Sequence, residues 1–211
     1  PRCFVAMTMF LKLAVFGKCT GISFVDSTCI PVIHNKRFNS MKVFKDIATK
    51  GKSTMGWYIG FKLHLHATKK VNNKLYLTKA NVDDRNENVM NALTDKVFGK
   101  LYADKGYISQ TLFGRLWDKD VHIVTGLRSN MKQKLMPLYD KIMLRKRSVI
   151  ESVNDMLKNV AQIVHTRHRS LHNFIMNILA AMGAYCFFST KPHVNFDYEI
   201  PPSDGQLVIW Q

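Results

Sequence analysis

Cysteine is scarce and poorly spaced: Cys3, Cys19, Cys29 and Cys186 form no C-x-x-C pair and no zinc spacing. A disulfide framework and a metal knuckle are excluded, and a reducing compartment, the cytoplasm, is expected. Long apolar runs are lacking as well. The stretch Cys3 to Phe16 is interrupted by Lys12 and followed by no small-residue cleavage site, so it reads as a core helix rather than a signal peptide. Nothing reaches the roughly 20 apolar residues of a membrane span, so no membrane partner is expected. Repeats and low-complexity blocks are missing too. Finally, acidic residues are few: 15 against 31 Lys and Arg, for a formal net charge of +16. Such an excess calls for a polyanionic partner, nucleic acid being the simplest.

What is present suits one ordinary domain. The 211 residues are 46% hydrophobic, enough to build a core and to exclude a disordered chain. The basic character lies in the folded part, because the segment from Lys191 onward holds one basic and three acidic residues. Residues 1–20 read as an N-terminal helical remnant, 21–190 as the main domain and 191–211 as a weakly ordered tail. The chain starts at Pro1 rather than Met, and an N-terminal segment is therefore expected to be lacking.

Gly21 to Ile33 is rich in Ile, Val and Phe, a strand buried on both faces that Asp26 interrupts and that ends near Pro31. Residues 34–56 carry six Lys and Arg against Asp46 alone, with little periodicity, and read as a basic insertion or loop. Ile59, Phe61, Leu63, Leu65 and Ala67 then alternate with Lys62, His64 and His66, the period of a half-covered strand. Asn72 and Asn73 are expected to turn the chain into a third strand at Leu75 to Thr78. A helix over 84–95 with Val89, Met90 and Leu93 inward leads to a strand at Val97 to Ala103, with Asp104 where it stops. Ser109 caps a short helix, and Val121 to Thr125 makes a fifth strand. Ile150, Val153, Leu157, Val160, Ala161 and Val164 recur at helical spacing, and Ser170 caps a last helix through Met182. This order of elements predicts an α/β, ribonuclease-H-like fold, a mixed five-stranded sheet flanked by helices.

Three acids stand at the places where such a sheet could gather them: Asp26, Asp104 and Glu151. An acid inside an apolar strand is costly unless paired or bound to metal. Two-metal phosphodiester cleavage needs converging carboxylates that set hard cations roughly 3.5 to 4 Å apart. Arg147, Glu151 and Lys158 are spaced by four and seven residues and share one helix face, where a cation on either side could hold phosphate; a solvated face of charge pairs is the plainer alternative. Lys36, Arg37, Lys42, Lys45, Lys50 and Lys52, with Arg145 and Arg147, are expected to line one DNA-facing surface. His34, His64 and His66 read as solvated rather than as zinc ligands, and the methionines as core filler. Trp57, Tyr58, Tyr107 and Trp117 read as core or, failing that, as base-stacking groups. The basic stretch His165 to His172 reads as an inter-helix turn or a DNA-facing one.

The segments GISFVDST, NVDDR, LYADKGYIS and LRKRSVIESVNDMLKN resemble those of bacterial insertion-sequence DDE transposases, notably the insertion-sequence 982 family, over roughly residues 17–188. The related helix signature, Tyr, two residues, Arg, three residues, Glu, six residues, Lys, is matched by Arg147, Glu151 and Lys158, with Leu144 in place of Tyr. The resemblance implies Asp26, Asp104 and Glu151 as catalytic ligands of two Mg²⁺ or Mn²⁺ ions. It also implies water as first nucleophile, attack of the freed 3′-hydroxyl on target DNA, and a homodimer acting at the bacterial nucleoid. Three readings compete with an active transposase: a basic DNA-binding protein without catalysis, an inactive transposase remnant, and a nuclease or resolvase of the same fold.

Overall fold

The computed structural model describes residues 3–15, 19–68, 72–132, 135–165, 167–192 and 207–209. The element order is α1 (Phe4–Phe10), β1 (Ile22–Ile33), β2 (Thr49–Ser53), β3 (Gly56–Thr68), β4 (Asn72–Lys79), α2 (Glu87–Thr94), β5 (Gly99–Ala103), α3 (Gln110–Trp117), β6 (Val121–Thr125), β7 (Leu135–Pro137), α4 (Leu138–Lys146), α5 (Ser148–Asn159), α6 (Leu171–Cys186) and β8 (Leu207–Ile209). The main sheet is mixed and five strands wide. β4, β3, β1, β5 and β6 follow one another across it, and β2 shares with β4 the outer edge of β3. β1 runs antiparallel to β3 and parallel to β5, and β5 parallel to β6. This is the ribonuclease-H-like α/β architecture that the order of elements predicts.

Each face of the sheet packs its own core. Phe24, Ile30, Phe61, Leu63, Leu65 and Tyr102 pack against Ile150, Val153 and Leu157 of α5 and Phe174, Ile178 and Met182 of α6. Val25, Leu101 and Ala103 pack on the other face against α2 and α3. Because side chains alternate along a strand, one residue's register decides which helices it meets. Gly99 lets β1 and β5 close up: with φ of 82°, its backbone lies so near Gly21 that a Cβ would sit 2.3 Å from the Gly21 carbonyl oxygen.

Several expectations need correction. The basic segment is no loop: a 3₁₀ turn at Asn35–Ser40 precedes β2, which pairs with β3. The period-two signal failed there because the one buried position of β2 is Gly51, where a Cβ would lie 2.5 Å from the Ala80 carbonyl oxygen. Asn72 begins β4 instead of turning, and the connection at 69–71 lies outside the described residues. β1 continues past Pro31 to Ile33 through a register shift. α2 starts at Glu87, capped by the Asn86 side chain. The strand expected from Val97 begins at Gly99, and Phe98 is exposed. α5 stops at Asn159: Gln162 adopts the left-handed region at φ 48°, and the Ile163 amide donates to the Leu157 carbonyl. That leaves Val160 exposed and tucks Ile163 inward. α1 buries none of its own residues, but in the π-helical turn Leu11–Val15 that follows it Leu11 is buried in the core, with Met7 packed against that core, so the expected core helix is one only in part. Of the expected tail, 193–206 lies outside the described residues, while β8 pairs antiparallel with β7.

Candidate functional site

Asp26 sits in the middle of β1, and Asp104 follows the last residue of β5. Phe24 is level with Tyr102 in the parallel pairing, and their rings stand 5.7 Å apart. Continuing that register by two residues sets Asp104 level with Asp26, on the face that α5 covers. β5 ends there while β1 runs on, so the two acids lie where the sheet opens. Glu151 lies in the first turn of α5.

A single guanidinium joins all three. Arg147 reaches Glu151 Oε1 at 2.5 Å, Asp104 Oδ1 at 3.7 Å and Asp26 Oδ1 at 3.8 Å. It occupies the one-residue junction between α4 and α5. The Arg147 amide donates to the Leu144 carbonyl at 3.4 Å, and the Arg147 carbonyl accepts from the Ile150 amide at 3.0 Å. These bonds span three residues instead of four, so the turn narrows at the junction, from which the side chain reaches the strand ends. Its side chain is 18% exposed, Asp26 is 21%, and Asp104 and Glu151 are each about half exposed. The arginine expected to face phosphate is thus paired with carboxylates.

Asp26 is also held by Asn154, whose Nδ2 donates to Asp26 Oδ2 at 2.9 Å from one turn beyond Glu151. Burial pushes the Asp26 carboxyl up to about 6; Arg147 and the Ser27 amide pull it down, while Glu151 and Asp104 raise it further. A second set of contacts seats α4. Asp140, buried in that helix, accepts from Lys100 Nζ at 2.7 and 2.9 Å and from Tyr102 Oη at 2.8 Å. Neither Asn154 nor Asp140 was singled out by sequence. Asn154 had one available signal, its i,i+3 spacing from Glu151.

The donor chemistry fits a hard divalent cation: three carboxylates from separate elements already converge on positive charge. Among the described residues, no group of three or more His, Cys, Asp or Glu is spaced to hold a metal ion as the side chains stand. His64 and His66 are fully buried, which corrects their reading as solvated. They pair with Ser27 and Val25 across β1 and so face the α2 and α3 side. His34 is exposed and accepts from the Lys36 amide.

The basic residues fall into two groups. Lys36, Arg37, Lys42, Lys45, Lys50 and Lys52 are exposed on the 3₁₀ turn, the following turn and β2. Arg145 is exposed at the end of α4, and Lys158 is partly covered on α5. Trp57 and Trp117 are 55% and 54% exposed, whereas Tyr58 and Tyr107 are buried. In the stretch His165 to His172, Thr166 lies outside the described residues, Arg167 and Arg169 are exposed, and His168 packs edge-on against Phe44 and Phe174.

The ribonuclease-H-like sheet thus carries Asp26 on β1 and Asp104 just after β5, with Glu151 on the covering helix α5. Residues 16–171, about three quarters of the chain, match the family described as Transposase DDE domain, and the chain belongs to that family. No curated protein matches the chain. Among the described residues, no helix is long and apolar enough to cross a membrane.

Proposed function

We propose that this chain is the catalytic domain of an insertion-sequence transposase that cuts DNA strands and transfers the freed end to target DNA. The observation that carries the reading is the convergence of Asp26, Asp104 and Glu151 on one cation from three separate elements. In this reading the three acids hold two Mg²⁺ or Mn²⁺ ions, which supply charge neutralisation for in-line displacement at phosphorus. Asn154 fixes the rotamer of Asp26, and the pinched junction at Arg147 fixes the start of α5, so that Glu151 leans toward the strand ends. The four quoted segments further favour the insertion-sequence 982 family. Two copies would act together on the element ends, within the cytoplasm that cysteine usage favours.

The surface that would carry DNA runs from the acids toward the β2–β3 hairpin. From Asp26 to Ile33 the strand covers seven steps, about 23 Å at roughly 3.3 Å each. Lys36, Arg37, Lys42, Lys45, Lys50 and Lys52 lie beyond that end, and Arg145 and Lys158 mark the helix side, with Arg147 turned in among the acids. A second reading is an inactive remnant that only binds DNA; Leu144 at the Tyr position of the helix signature departs from the pattern while leaving the three acids in place.

Strand cleavage of a duplex carrying the element ends, measured with Mg²⁺ or Mn²⁺ on the full-length protein, separates the two. Glu151→Gln keeps size and helix propensity but removes a ligand charge, so cleavage should fail while DNA binding persists. Asp26→Asn and Asp104→Asn should behave alike, since each dismantles one shared site. Equal cleavage by wild type and Glu151→Gln overturns the assignment, and no cleavage by either favours the remnant.

A further inference from the structure

We propose that Arg147 is a resident counter-ion of the three carboxylates, competing with divalent metal for them and displaced when metal loads. The inference rests on the metal-binding reading of Asp26, Asp104 and Glu151. A planar guanidinium has five N–H donors in a fixed fork and can engage several carboxylate oxygens at once. Arg147 does so, with contacts of 2.5, 3.7 and 3.8 Å to three different acids. Without a cation among them these acids would repel one another, and Asp26, the most covered of the three, would be the costliest to ionise. One guanidinium offsets only part of a triple negative charge, which leaves a net attraction for a more highly charged ion.

Displacement is mechanically simple. The backbone of Arg147 is fixed by the bonds on either side of the α4–α5 junction, whereas its side chain has four rotatable bonds and ends at a half-open edge. Metal and guanidinium need the same oxygens, Glu151 Oε1 foremost, so loading the ions requires the fork to leave. Its function is to keep the acids gathered and the strand ends seated until metal arrives, at the cost of weaker metal affinity.

Mn²⁺ binding to the full, metal-free chain, followed by loss of the free-ion paramagnetic resonance signal, tests this without reference to activity. Arg147→Gln should bind Mn²⁺ about tenfold more tightly than wild type, equivalent to removing a competitor worth about 1.4 kcal/mol. Arg147→Lys, which keeps charge but loses the fork, should fall between. In thermal unfolding, metal-free Arg147→Gln should melt below wild type, and saturating Mn²⁺ should raise its Tm more than that of wild type. If Asp26→Asn loses Mn²⁺ while Arg147→Gln binds no more tightly than wild type, the competition is wrong and the metal reading stands. If wild type, Arg147→Gln and Arg147→Lys all fail to take up Mn²⁺, the metal reading falls and the competition with it.

Discussion

Asn154 Nδ2 stands 2.9 Å from Asp26 Oδ2, so one amide ties the helix that carries Glu151 to the strand that carries Asp26. The two residues are 128 positions apart in the chain, and both sit where the sheet face is largely covered. Asn154→Leu keeps the volume but leaves the carboxylate short of a donor, at a cost of about 1 to 3 kcal/mol. Guanidinium unfolding should show that loss. In an active preparation, cleavage should fall about tenfold or more while DNA affinity holds, because a loosened ligand impairs positioning and not docking. A variant as stable and as fast as wild type would show that the contact positions nothing.

The Asp140 cluster makes a prediction about stability alone. Removing one partner of a buried pair leaves the other unpaired, typically costing 3 to 5 kcal/mol. Lys100 keeps 35% of its side chain in water, so Asp140→Leu should cost less, about 2 to 3 kcal/mol. Tyr102→Phe should cost about 1 kcal/mol, the value of a single hydrogen bond. Urea unfolding midpoints measure both, and a cost for Tyr102→Phe equal to that of Asp140→Leu would show that the ion pair adds nothing.

Elements that bury an apolar face announced themselves. β1 reads directly from its Ile, Val and Phe content, and the α5 stripe from Ile150, Val153 and Leu157. Asp26, Asp104 and Glu151 were legible as anomalies: an acid inside a strand, one at a strand's end and one beside a stripe. The failures share a cause, since long-range contacts there override local pattern. β2 exposes its lysines and buries only a glycine. Val160 and Val164 continue the helical period, yet the chain turns at Gln162, so periodicity overran the helix by five residues relative to Asn159. His64 and His66 look solvated by alternation, but the opposite face is covered by α2 and α3 as well. Asn154 and Asp140 act through partners distant in sequence; only the i,i+3 spacing of Asn154 from Glu151 offered a local hint, and nothing local marks Asp140.

The buried histidines set a pH limit. His66 is fully covered, neither ring nitrogen has a hydrogen-bond partner among the described residues, and burial lowers its pKa to about 4, with Lys74 adding to the shift. His64 is likewise lowered to about 4 by burial, against the pull of Asp84. In the unfolded chain both titrate near 6.5. Their neutral burial therefore contributes stability that is present above pH ~6.5 and is lost as pH falls toward the folded value. For His66 alone the full loss is about 3 kcal/mol. Denaturation at a series of pH values should show stability falling between about pH 6.5 and 4, with a shallower fall in His66→Leu. An identical slope in that variant would mean that His66 keeps its proton when folded.

The hairpin that was not anticipated makes the sharpest claim about DNA. Lys50 and Lys52 lie over the Trp57 ring, their Nζ atoms 4.9 and 5.8 Å from its centroid, and Trp57 remains more than half exposed. Lys52 is level with Trp57 in the β2–β3 pairing, so all three side chains share one face of the hairpin. Each phosphate neutralised on duplex DNA contributes roughly 0.9 to the slope of log affinity against log salt. Replacing Lys50 and Lys52 by Ala should therefore lower that slope by about 2. Trp57→Ala removes no charge and should leave the slope nearly unchanged. If the exposed ring meets a base, its loss should weaken binding by about 1 to 3 kcal/mol, most clearly on DNA with unpaired bases. Salt titrations of duplex and partly single-stranded DNA separate the two contributions. An unchanged slope for the double lysine variant would place β2 away from the phosphates and confine the DNA surface to the helix side of the acids.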